Sequence, residues 1–187
     1  MKTEVIRNLY IEQLKGNNVR LERYYEHQLN LCPNINKLGL VDPYVSLRSA
    51  YMDYRDNYRN YSTDDFDNLN KEIMGRGIEL QKDTVLFHGR GNELGETVRP
   101  ISSSIHPSIA IWHARKHRNF ELAGQPVFIY ALNATKESML KVCVDFSDIK
   151  FGHEYEVLLQ SGIVIKELNR KQILDGVFLI EANIEIA

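Results

Sequence analysis

Three short stretches of this chain carry side chains suited to chemistry. Glu154-Tyr155-Glu156 opens an apolar run, VLLQ. Successive strand residues face opposite ways, so Glu154 and Glu156 share one side while Tyr155 and Val157 take the other. Two acids about 7 Å apart on one face, at roughly 3.3 Å per residue, repel, which favours sharing a proton or recruiting a cation. Ser102-Ser103-Ser104 places three hydroxyls at the end of a second strand, where serines serve as caps, face solvent or meet a ligand. His88-Gly89-Arg90-Gly91 ends a third, with His88 and Arg90 on one side and glycines that let backbone approach a ligand closely. Taken singly, each has a plain reading as a solvated strand face or a turn.

The elements that must position these residues divide near residue 80. Before it, Ile6, Tyr10 and Leu14, then Leu21, Tyr25 and Leu29, then Phe66, Leu69 and Ile73 recur at helical spacing. Pro33, Gly39 and Pro43 interrupt this region, Ser62–Asp65 offers a helix cap, and Gly75-Arg76-Gly77 a stop. After it, alternation predicts strands at 84–88, 98–102, 126–132, 140–144, 154–160, 163–167 and 177–186, with a helix over 107–118 that starts at Pro107. Helices followed by strands predict an α+β fold, and 187 residues at 43% hydrophobic content fit one domain over 1–187, helical over 1–80 and mainly β over 81–187.

Composition excludes several classes. Lys and Arg total 23 against 25 Asp and Glu, so no global field draws the chain to nucleic acid or an anionic membrane. The first residues alternate charged with apolar and lack a signal peptide's apolar core, and no apolar run is long enough to span a bilayer, so a cytoplasmic protein is expected. Cys32 and Cys143 lack a partner pattern and read as buried thiols. His113 and His117 share a helix face at a spacing of four, but no third ligand follows, so no metal is expected. Tyr51, Tyr54, Tyr58 and Tyr61 form one helical stripe beside Arg48, Arg55 and Arg59. This reads as a packed face with arginines on its solvated flank, although aromatics mixed with cations also serve single-stranded nucleic acid.

Taken in order, an aromatic-basic-glycine strand end, a serine triplet, Ala110 six residues beyond Ser104 on a helix of small residues, and Glu-x-Glu opening an apolar strand resemble the arginine-type mono-ADP-ribosyltransferases over roughly 84–165. That family includes phage-encoded modifiers of host proteins and the enzymatic subunits of bacterial binary toxins. The resemblance implies two packed, mainly antiparallel sheets forming an NAD cleft, with NAD as donor substrate, no metal, and an acceptor arginine on a target protein, RNA being a further possible acceptor. It implies that Glu156 holds the nicotinamide ribose and stabilises the cation developing there, that Ser102 holds that carboxylate, and that Glu154 orients and deprotonates an acceptor guanidinium. Ser103 and Ser104, with His88, Gly89 and Arg90, are the implied NAD-binding set. Histidine stands where the family has its NAD-binding arginine. His-Gly at that place resembles the poly-ADP-ribose polymerase branch, which has a tyrosine where this chain has serines. The expectation is His88 on the adenosine ribose with Arg90 on phosphate, while a second register gives Arg90 itself the place of the family's arginine. The segment 145–153, with Phe151 and His153, is expected to contact the acceptor. A phage-encoded or delivered protein would act in host-cell cytoplasm. NAD glycohydrolysis, and a non-catalytic NAD- or nucleic-acid-binding module, are the alternatives.

Overall fold

The computed structural model describes residues 3–16, 50–95, 97–121 (backbone only over 117–121), 125–135, 139–144 and 156–187. Glu154, Tyr155, His153, Phe151, Cys32, Arg48 and the expected helix around Leu21, Tyr25 and Leu29 lie outside the described residues.

The α+β expectation holds. The described helices are α1 (Thr3–Leu14), α2 (Ala50–Asn57), α3 (Thr63–Arg76) and α4 (Pro107–Glu121), and the strands are β1 (Ile78–Glu79), β2 (Val85–Arg90), β3 (Ile101–Ser104), β4 (Val127–Ala134), β5 (Lys141–Val144), β6 (Glu156–Leu159), β7 (Ile163–Leu174) and β8 (Val177–Ile186). A 3-10 turn, Tyr58–Asn60, follows α2. The strands join in the order β1-β5-β6-β3-β2-β4-β8-β7. The two expected sheets are therefore hydrogen-bonded into one. Their join is narrow: β2 and β3 share one registered pair, Phe87 opposite Ser104, whereas β2 and β4 pair along six residues and β4 and β8, the one parallel pair among these strands, along eight.

That narrow join separates two half-sheets, and alternation along their strands sorts the apolar residues into layers. Leu86, Tyr130, Leu132, Ile180 and Ile184 from one half meet Ile101, Val142, Val157 and Leu159 from the other in a common core. The reverse face of the β2-β4-β8 half, with Phe87, Ile129 and Leu179, is covered by Ile6, Leu9 and Tyr10 of α1 and by Ala110, Ile111 and Ala114 of α4. The reverse face of the β5-β6 half, with Cys143 and Leu158, is covered by Tyr51 of α2 and Leu69 and Ile73 of α3.

Local chemistry fixes the ends. Ser62 and Asp65 form a reciprocal capping box at the start of α3, Ser62 Oγ accepting from the Asp65 amide at 3.3 Å and Asp65 Oδ2 from the Ser62 amide at 2.9 Å. Gly77 ends that helix by donating its amide to Ile73 O at 2.8 Å. In α1 the buried stripe is Ile6, Leu9, Tyr10 and Gln13, while Leu14 is 56% exposed. The expected Leu14 gives way to Gln13, whose Nε2 donates to Ser108 O at 2.7 Å and ties α1 to the first turn of α4.

Candidate functional site

The glutamate at 156 is the first described residue of β6, which pairs antiparallel with β3 so that Ser102 faces Leu158 and Ser104 faces Glu156. Ser102 and Glu156 are thus diagonal neighbours on one face, within reach across adjacent strands. Ser102 Oγ donates to Glu156 Oε1 at 2.6 Å, short enough for a charge-assisted bond. The other carboxylate oxygen, Oε2, lies 3.5 Å from Nε of Arg55, and the two side chains are 11% and 3% exposed. This cation comes from α2. The Arg55 guanidinium also stands 5.5 Å from the Tyr51 ring, one helical turn earlier.

Arg55 corrects the expectation of a solvated arginine flank. Tyr51 is 2% exposed and packs as expected, but Arg55, four residues on, shares its side of the helix and turns inward with it. Arg59 does lie outside, 5.8 Å over the half-exposed Tyr58 ring. The tyrosine stripe is a packed cluster: Tyr54 sits 6.1 Å from Tyr58, 5.7 Å from Tyr61 and 6.5 Å from Phe66, centroid to centroid, and the Tyr61 hydroxyl donates to Ala50 O at 2.7 Å. Tyr54 extends this cluster to the site through a hydrogen bond with Ser102, and burial, then the neighbouring Glu156 charge, push its phenol far above the usual range. Arg55, Glu156, Ser102 and Tyr54 therefore form one connected group.

The remaining expected residues divide. The His88 Nδ1 lies 2.6 Å from Ser102 O; a carbonyl only accepts, so Nδ1 carries a proton. His88 thereby touches the same serine from the neighbouring strand, and its ring is 6.3 Å from Tyr130 on β4. Arg90 is not brought to Glu156: its Nε donates to Asn92 Oδ1 at 2.7 Å at the end of β2. Gly89 was expected to admit a ligand. Its open side instead meets α4, where an added Cβ would overlap the Ala110 carbonyl oxygen and lie 2.9 Å from Ala114 Cβ. Ser103, 5% exposed, donates to Val157 O at 2.6 Å and fastens β3 to β6. Ser104, 1% exposed, accepts from the His106 amide at 3.1 Å and shapes the turn into α4. Ser102 is thus the member of the triplet bonded to Glu156.

Sequence reasoning missed Arg55 as a site residue, and it missed Tyr54 and Tyr130. A signal for Arg55 was present: the tyrosine stripe runs past it at i, i+4 from Tyr51. Among the described residues, no group of three or more His, Cys, Asp or Glu is placed to hold a metal ion, and no helix is long and apolar enough to cross a membrane. Cys143 is a buried thiol whose pKa is pushed up to about 12 by burial and then by the Glu72 charge.

No family model and no curated protein matches this chain. Solved structures do. The Vis toxin, an ADP-ribosyltransferase from Vibrio splendidus, is 12% identical, with 90% of this chain and 85% of that one covered at a TM-score of 0.46. An ADP-ribosyltransferase from Clostridium botulinum is 14% identical, covering 87% and 95% at 0.48. An ADP-ribosylating toxin of a binary enterotoxin of C. perfringens, solved with NADH, is 16% identical, covering 90% of this chain and 48% of that one at 0.48. At these identities and scores the likeness concerns the course of the backbone, and it transfers no residue's role.

Proposed function

We propose that the chain is an NAD-dependent mono-ADP-ribosyltransferase that moves ADP-ribose to an acceptor, a protein arginine in the first instance, with release of nicotinamide. The observation that carries this reading is the Ser102 hydroxyl bound to the Glu156 carboxylate at 2.6 Å, on the strand that the Glu-x-Glu motif opens. Breaking a ribosyl bond builds positive charge on the sugar carbon, and a carboxylate fixed before the reaction stabilises that charge without reorganising. A serine bound to one carboxylate oxygen fixes the orientation of the carboxylate.

In this reading the bond between the ribose carbon and the nicotinamide nitrogen breaks with its electron pair leaving on nicotinamide, and an acceptor nitrogen forms the new bond to the same carbon. The acceptor guanidinium must lose a proton, which Glu154 takes. In this reading the His88 ring, fixed through Nδ1 on the Ser102 carbonyl and lying 6.3 Å from the Tyr130 ring, stands on the side of the adenosine ribose of NAD. Arg90, half-buried at the strand end, is left for phosphate. Ser103 and Ser104 act through the backbone, by holding β3 against β6 and α4.

The test is release of nicotinamide from NAD, with labelled NAD and a cell lysate as acceptor source. The wild type is expected to release nicotinamide and label protein, and Glu156→Gln to do neither. Ser102→Ala is expected to retain about a tenth to a hundredth of the rate, the worth of one hydrogen bond to a charged group. Equal behaviour of wild type and Glu156→Gln defeats the reading. Nicotinamide release with no labelled macromolecule would instead identify an NAD glycohydrolase, with water as acceptor.

A further inference from the structure

The strand end expected to supply a cation to this site carries His88, and Arg90 beyond it is engaged with Asn92. Yet a cation is present, and it arrives from a helix: Arg55 Nε is 3.5 Å from Glu156 Oε2, with both side chains nearly closed to solvent. An ionised carboxylate in such surroundings is costly unless paired, and removing one partner of a buried pair leaves the other uncompensated. Several described groups face Glu156. From α2 come Arg55 and the phenols of Tyr54 and Tyr51, from β3 the hydroxyls of Ser102 and of Ser104, which stands opposite Glu156 in register, from β5 the Cys143 thiol on the Leu158 face, and from β2 His88, which reaches the Ser102 carbonyl. Among these, Arg55 is the permanent positive charge.

We propose that Arg55 is a positioning residue of the site, a guanidinium delivered by α2 that keeps the Glu156 carboxylate ionised and aimed while Ser102 holds its other oxygen. Arg55 is itself held for this. Tyr51 stacks beneath it, α2 is pinned to α3 by the Ala50 amide donating to Glu72 Oε2 at 2.9 Å, and Tyr61, in the segment between the two helices, donates to Ala50 O. The helix with the tyrosine stripe is thus an arm that carries one cation to an acid far along the chain.

This inference rests on the transferase reading for its rate measurements, but not for its direct one. Nicotinamide release is followed against pH for wild type, Arg55→Met and Arg55→Lys, with melting temperature measured in parallel. Without the cation, the buried carboxyl binds a proton at higher pH, so the acid limb of Arg55→Met is expected to move up by about one to two pH units. At a pH on the wild-type plateau just above its limb this appears as a ten- to hundredfold loss that alkaline pH restores. Arg55→Lys, which keeps the charge, is expected to hold the limb near its wild-type position. A purely structural role would lower the rate equally at every pH, and that outcome overturns the proposal. The direct measurement is the pH titration of the Glu156 carboxyl carbon by NMR, assigned with Glu156→Gln, which needs no substrate. A titration unchanged between wild type and Arg55→Met overturns the proposal. A moved titration in a protein that releases no nicotinamide sustains the Arg55–Glu156 coupling and removes the transferase reading instead. Should Arg55→Met fail to fold, the neutral but polar Arg55→Gln is titrated in its place. An upward move of the Glu156 titration in that variant supports the proposal, and a titration at the wild-type pH overturns it.

Discussion

At the scale of single residues, identical side chains in one motif do different work. Ser102, Ser103 and Ser104 are chemically equivalent in the sequence, but alternation and the β3–β6 register send one hydroxyl to a carboxylate, one to a backbone carbonyl and one to a helix-entry turn. Glycine at 89 similarly reads as a ligand feature in the sequence and proves to be a packing feature, because α4 crosses β2 at that point. Gly89→Ala is therefore expected to destabilise the fold by about 1–3 kcal/mol, toward the upper end, since the overlapped atom is helix backbone and cannot step aside cheaply. Denaturant unfolding would measure it, and a loss below about 1 kcal/mol would mean that α4 can retreat from the strand. Residue roles of this kind were legible only as candidate sets. The motif order singled out Glu156 and Ser102, which the fold does bring into contact, but nothing in spacing says which face a neighbouring helix will claim.

At the scale of elements, the helices at Ile6, Phe66 and Pro107 and most strands were readable because their apolar periods are strong. Alternation predicts a strand ending at 167, whereas β7 runs to Leu174. Its residues from Glu167 to Gln172 are exposed, β8 is its one neighbour among the described strands, and register shifts at Glu167/Asn169 and Gln172/Leu174 break the alternation that marks a strand. Arg55 escaped because a helical period shows that a residue lies on a stripe, not that its ion partner waits on a strand formed much later. The entry to α4 has a property that the sequence hid as well. His106 is 1% exposed and burial depresses its pKa to about 4. Its folded value lies below the ordinary one near 6.5, so the unfolded chain binds a proton that the folded chain refuses between those values. Stability on this account is fully present above about 6.5 and falls as pH drops toward 4, by about 3 kcal/mol in all. His106→Gln is expected to flatten that part of a melting-temperature profile, and an unchanged slope would assign acid sensitivity elsewhere.

At the scale of the whole molecule, the extensive β2-β4-β8 pairing contrasts with the single registered pair joining β2 to β3. Backbone amides of Val127–Ala134 and of the facing part of β8 are expected to exchange slowest with solvent, and those of Ile101–Ser104 faster, because opening the narrow join breaks few hydrogen bonds. Hydrogen exchange resolved by residue checks this, and uniform protection across both halves would show the sheet to open as one body. His88 contacts Ser102 across that join, so motion there would reach the candidate site directly.

Strand order has one more consequence. β8 lies between β4 and β7 and its Leu179 helps seal the core under α1, although it follows all the other described strands along the chain. A nascent chain halted before Val177 would leave the first helix without part of its seat and β4 without its long parallel neighbour. The ribosome must therefore deliver β8 before that half of the protein can settle, so assembly there trails the synthesis of every other strand rather than keeping pace with it.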